Sequence, residues 1–306
     1  MRKTLLGIFV CTLVILSTVV PSCALSPIDP ERESSLVLQY KYGENCFGGL
    51  EIKTYRVAEV FEDGTYALTG EFADYPVNIY GITTGEEWDA VASTLGGYAA
   101  ADGIEADHMS VTDETGTVRF SEILPGMYLT LSVKSEKDAE VFRFETFLTV
   151  IPQPKDDGDH EYDVTAYPKC ESYTTTPDMI EYKIVKQWKD SGYAEKRPEY
   201  IEVDILKDGV LESTKKLTAE NNWAYSWTAP NDGAQWQAVE RNVPKDYTVT
   251  VSQNGKTIVL TNVHNYPGMN APQTGDTFVF WHYALIMCLA GGIIMIVAVW
   301  RKRTEG

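Results

Sequence analysis

Three polar residues fall where the two-residue period of a β-strand calls for apolar ones. Tyr182, Ile184, Lys186 and Trp188 share one side of a strand-like run, as do Trp236, Ala238 and Glu240, and again Ile258, Leu260 and Asn262. A lysine amine is a nucleophile once neutral, a carboxamide carbon can be attacked by one, and a carboxylic acid can carry the proton between them. Each of the three costs several kcal/mol to bury alone, so they are expected to meet. Two plainer arrangements share the same parity. One is a buried Lys186–Glu240 ion pair with Asn262 supplying hydrogen bonds; the other is a shifted register that leaves one group in water.

The elements that must hold these residues read as strands. Residues 179–265 divide into seven short runs separated by turn signals such as Lys207-Asp208-Gly209 and Gln253-Asn254-Gly255. Ile201, Val203 and Ile205 alternate with Glu202 and Asp204, the pattern of a sheet with one buried side. Residues 34–169 carry further strand-like runs, among them Ser35 to Tyr42, Leu50 to Val60, Met127 to Val133 and Phe142 to Ile151. One short helix interrupts them: Thr84 and Glu87 form a capping-box pattern, and Trp88, Val91, Leu95 and Tyr98 recur on one face, to be packed against the sheet. Glu171 to Asp178 is polar and aperiodic and reads as the linker between the two regions. The fold class expected is all-β, two immunoglobulin-like β-sandwiches in tandem, with the helix inserted in the first.

The words around the three polar residues are VKQWKDSG, KRPEYIEVDILKDG, NNWAYSW, WQAVERNVPKDY and VLTNVHN. Together they resemble a Cna B-type domain over nearly all of residues 179–265. That resemblance implies an amide bond between Lys186 and Asn262, with Glu240 as the assisting acid. An apolar site favours the neutral amine and the protonated acid that such a reaction needs. The bond would form once per molecule and close a loop of nearly 80 residues, in the manner of a disulfide that reduction cannot open.

Both ends read as addresses. Residues 1–24 pair Arg2 and Lys3 with an apolar run and a small-residue cleavage site, the pattern of a signal peptide. Phe278 to Trp300 is about 23 apolar residues, enough to cross roughly 30 Å of hydrocarbon, and Arg301, Lys302 and Arg303 follow it. Just before it stand Ala271, Pro272, Gln273, Thr274 and Gly275, so that residues 271–306 resemble the LPxTG sorting signal of Gram-positive surface proteins, with alanine in place of leucine. The resemblance implies cutting between Thr274 and Gly275 by a sortase, and transfer of the threonine carboxyl to peptidoglycan or to another subunit.

EYDVTAYPK at 161–169, with FLTVIP and YRVAEV upstream, resembles the N-terminal domain of sortase-assembled pilin subunits, although His160 and Ala166 replace the usual tryptophan and valine. In those proteins the lysine of YPK accepts the next subunit, which makes Lys169 the matching residue; an exposed lysine that merely ends a strand is the plainer alternative. Cys46 and Cys170 follow the first and last strands of the N-terminal region, and an exported chain permits them to pair.

Other functions find no support. A net charge of −18 leaves no basic surface for nucleic acid. The acidic cluster at Asp156–Asp163 lacks the spacing of a calcium loop and is read as a solvated turn, so neither metal nor cofactor is expected. No nucleophile elbow, zinc motif or phosphate loop is present. The expectation is an exported, wall-attached structural protein, a pilin subunit; the alternative is an adhesin that binds a host or matrix ligand through its first domain.

Overall fold

The computed structural model describes residues 26–137 and 140–265. The leader at 1–24, the sorting motif around Thr274 and Gly275, and the apolar segment at 278–300 lie outside the described residues. Among the described residues no helix is long and apolar enough to cross a membrane.

The N-terminal region is built from β1 (Ser34–Gln39), β2 (Glu51–Val60), β3 (Tyr66–Leu68), helix α1 (Gly85–Asp102), β4 (His108–Val111), β5 (Thr117–Ile123), β6 (Gly126–Thr130), β7 (Val133–Lys137), β8 (Glu140–Phe144), β9 (Phe147–Ile151), β10 (Asp163–Ala166) and β11 (Cys170–Thr174). Its strands form the sheets β10-β1-β5, β11-β8-β7 and β9-β6-β2-β3, with β4 also pairing β2. The β9-β6-β2-β3 sheet is covered on both sides. Ile52, Tyr128 and Ile151 face a core that also holds Leu36, Phe47 and Phe144. Tyr55, Val57, Met127 and Leu129 face a second core built around α1. That explains why every residue of β6 is buried.

The helix starts where the sequence places it. Thr84 and Glu87 satisfy each other's backbone N–H groups, and Gly103, at φ 65°, ends the helix in the left-handed conformation that glycine adopts without strain.

The C-terminal region contains seven strands, as expected: β12 (Thr176–Lys189), β13 (Tyr200–Lys207), β14 (Val210–Thr218), β15 (Ala224–Asn231), β16 (Trp236–Glu240), β17 (Tyr247–Asn254) and β18 (Thr257–His264). One sheet has the order β15-β12-β18-β17 and the other β14-β13-β16. Tyr182, Ile184, Ile201, Val203, Ile205, Ala238, Val251, Ile258 and Leu260 fill the space between them.

Three expectations need correction. Glu171–Thr174 is strand rather than linker, because β11 pairs with β8 along its whole length; ladder hydrogen bonds do not require an apolar pattern. The outer side of β13 is not simply solvated, since Asp204 is buried and Leu206 joins the core around α1. The long runs also break: Tyr40 separates β1 from the pair Lys41–Tyr42 with Asn45–Cys46, and Glu145 and Thr146 separate β8 from β9.

The helix reaches beyond its own sheet. All described residues fall in one compact unit, and α1 sits across the edge strands β16 and β17. Val251 N–H donates to Thr94 Oγ1 at 2.7 Å, Val249 N–H donates to the Pro76 carbonyl at 2.8 Å, and Tyr98 O–H donates to the Glu240 carbonyl at 2.9 Å. Edge strands leave such groups open, and here the N-terminal region closes them.

Candidate functional site

Lys186 and Asn262 come from adjacent parallel strands. β12 and β18 run with Lys186 beside Leu260 and Trp188 beside Asn262, so the amine and the carboxamide sit two residues apart on one inward face. Glu240 comes from the facing sheet, where it ends β16 opposite Val203. The sandwich thus places the acid across its interior from the other two groups.

The three meet in a dry place. Lys186 Nζ lies 3.2 Å from Glu240 Oε2, and both side chains are 0% exposed. Asn262 Nδ2 donates to Glu240 Oε1 at 2.7 Å. The ammonium also stands 4.4 Å from the ring centre of Trp188, which closes one side of the pocket. Among the described residues, the hydrogen bond of Lys186 Nζ is a long one, 3.4 Å to the Gln187 carbonyl, while Glu240 Oε2 and Asn262 Oδ1 are buried without an aligned donor. The Lys186–Glu240 contact therefore satisfies an ion pair by distance rather than by directed hydrogen bonding.

Burial acts on both ionisable groups toward neutrality. Desolvation brings the Lys186 amine down to about 8, against the opposing pull of Glu240. Desolvation likewise pushes the Glu240 carboxyl above its ordinary range, against the pull of Lys186. A protonated Glu240 would donate rather than accept. Turning the Asn262 amide over then brings the unpaired Oδ1 to Glu240, the orientation in which the acid polarises the carbonyl.

A polar cluster borders this pocket. Arg197 donates twice to Asp190, at 2.7 Å each, and Tyr247 O–H donates to the same carboxylate at 3.1 Å. Arg197 also approaches Trp188, at 5.6 Å from the ring centre. Sequence reading did not single out Asp190 and Arg197; their only local signal is an aspartate just beyond the alternating run of β12.

The remaining residues singled out lie elsewhere. Lys169 is exposed, and its Nζ sits 2.6 Å from Asp89 Oδ2 at the start of α1, a hydrogen bond that raises the lysine pKa. Cys46 is exposed and Cys170 half-buried beside the core of Leu36 and Phe144, and both thiols are free in this structure. They belong to separate ladders, Cys46 opposite Lys41 and Cys170 opposite Phe144.

Against known proteins, residues 182–263 match the family model of the Cna protein B-type domain. A collagen adhesin of Staphylococcus aureus is 32% identical over 95 residues, which make up 28% of this chain and 8% of that protein. The chain thus spans under a tenth of the length of that curated relative. A single B repeat unit of the collagen-binding surface protein of Staphylococcus aureus aligns over 77% of this chain and 100% of its own, at 14% identity and a TM-score of 0.28. The full-length major pilin SpaD of Corynebacterium diphtheriae aligns over 78% of this chain and 65% of its own, at 17% identity and a TM-score of 0.30. The residues that match the Cna protein B-type family model, 182–263, include Lys186, Glu240 and Asn262, so the sandwich that brings the three together is similar to that domain.

Proposed function

We propose that this chain is a structural protein of a Gram-positive cell surface, a pilin-type subunit, whose second sandwich at 179–265 is welded by an amide bond between Lys186 and Asn262. The observation that carries this reading is the meeting of a fully buried lysine, acid and carboxamide. Attack of the neutral Lys186 amine on the Asn262 carboxamide carbon forms one C–N bond and breaks another. Glu240 passes the proton lost by the amine to the departing nitrogen, which leaves as ammonia, and the acid is restored. The product ties β12 to its neighbour β18, so a force applied along the chain meets a covalent stop within the sandwich. The test is a mass measurement on the full chain: a deficit of one ammonia that disappears in Lys186→Ala and Glu240→Ala supports the reading, and a full mass in the unaltered chain contradicts it.

The same reading divides the chain into a pilin-like sandwich at 34–169 and the Cna B-type domain, preceded by a signal peptide and followed by a sorting signal cut between Thr274 and Gly275. Lys169 is the acceptor amine for the next subunit. Its side chain is 65% exposed, as an acceptor must be. Incubation with a sortase then yields ladders that Lys169→Ala abolishes; ladders that persist in that variant contradict the assignment. The collagen adhesin relative favours a second reading, in which the first sandwich binds a matrix ligand and the second is a stalk. Saturable binding of the full chain to matrix protein, undiminished by Lys169→Ala, would mark that role.

A further inference from the structure

Glu240 is the last residue of an edge strand. β16 pairs with β13 on one side only, its register ends with Glu240 opposite Val203, and one further main-chain bond, from Arg241 N–H to the Glu202 carbonyl at 2.9 Å, follows it. A strand end held on one side is where a sheet frays first. Yet the carboxyl of this residue must keep its place against Asn262 and Lys186 across the sandwich interior.

The free side of β16 is occupied by α1, which belongs to the N-terminal region. The Tyr98 hydroxyl, buried, donates to the main-chain carbonyl of Glu240 itself at 2.9 Å. One residue before, Gly97 leaves the space into which Val239 packs; a Cβ there would stand 3.0 Å from Val239 Cγ2. One residue after, Arg241 pairs with Asp102 at the end of α1 and with Asp204 on β13. Helix contacts therefore grip three successive residues, with the acid in the middle.

We propose that Tyr98 is a positioning residue for the Lys186–Asn262 bond, fixing the backbone of Glu240 so that the bond closes efficiently only once the N-terminal helix has docked. The inference rests on the amide-bond reading above. Tyr98 does not touch the reacting atoms; it acts through the strand that carries the acid. The weld would then be the last event of folding rather than a local one, and a chain whose N-terminal region has not assembled would remain unwelded.

Full chain recovered unfolded and then refolded allows ammonia loss to be timed by intact mass. Tyr98→Phe is expected to slow bond formation about tenfold or more, since small displacements of a reacting group carry penalties of that order. Its rate profile should also change: with Glu240 less firmly buried, the acid-side fall in rate moves to lower pH. A merely structural tyrosine would lower the melting midpoint and leave both rate and profile of the folded molecules as they were. If Tyr98→Phe does not refold, Gly97→Ala, which crowds Val239 without removing a hydrogen bond, carries the test and should slow closure too. A wild-type chain that loses ammonia while the variant closes equally fast overturns this inference alone; a wild-type chain that never loses ammonia overturns the amide-bond reading with it.

Discussion

Two lysine–carboxylate pairs in this molecule show how little distance says about reactivity. Lys169 and Asp89 are the closer pair, at 2.6 Å, and lie largely in water; Lys186 and Glu240 are 3.2 Å apart and wholly buried. The exposed lysine is held more firmly charged by its partner, whereas the buried one is driven toward neutrality by lost hydration that its partner only partly offsets. One pair therefore keeps its amine inert until something removes the proton, and the other prepares an amine to react unaided. The self-closing bond proposed at Lys186 and the enzyme-dependent bond proposed at Lys169 would draw on the same side-chain chemistry in two dielectric settings.

The sharpest way to break this contrast is to remove one partner from each pair. Lys186→Ala removes the amine that the proposed amide bond needs and leaves a buried carboxyl without its cation. An expected loss of about 4 kcal/mol from the lost chain constraint alone should appear in denaturant unfolding. A midpoint unchanged from the parent would show that no constraint had existed.

The pH dependence of closure separates the pairs next. The reactive state, neutral amine with protonated acid, holds the same single proton as the charged pair, so the rate of closure should be bell-shaped. It falls above about 8, where Lys186 and Glu240 together lose that proton. It falls on the acid side as Lys186 stays protonated while Glu240 is also protonated, and burial sets that limb above the ordinary carboxylate range. A rate that climbs steadily with pH through 10 would mean that Glu240 takes no part.

Smaller effects test the docking of the helix. Thr94→Val leaves the Val251 N–H of β17 buried without an acceptor, at an expected cost of about 1–3 kcal/mol in unfolding free energy. The smallest effect belongs to the exposed pair: Asp89→Asn should change stability by less than about 1 kcal/mol, and added salt should erase what difference there is. A salt-resistant loss of several kcal/mol would place that pair in a setting unlike water.

Much of the candidate site was legible because parity is local arithmetic. A lysine, an acid and an amide on apolar faces stand out in any strand register, and the seven strands carry turn signals at their ends. The capping box at Thr84 and Glu87 is likewise read within four residues. What the sequence hid depends on encounters between distant segments. Asp204 and Leu206 look outward until α1 arrives, and no pattern near Tyr98 announces that its hydroxyl meets the carbonyl of Glu240, 142 residues away. Glu171–Thr174 looked like a linker because its strand partner, β8, supplies backbone hydrogen bonds that leave no mark on side-chain composition.

The central claim is that Lys186 and Asn262 become one branched amide. Peptide mapping of the purified full chain by tandem mass spectrometry tests it most directly. The account predicts a branched fragment joining the two residues, lighter by one ammonia than the sum of its parts. Separate linear peptides carrying an unmodified Lys186 and an unmodified Asn262 would contradict it.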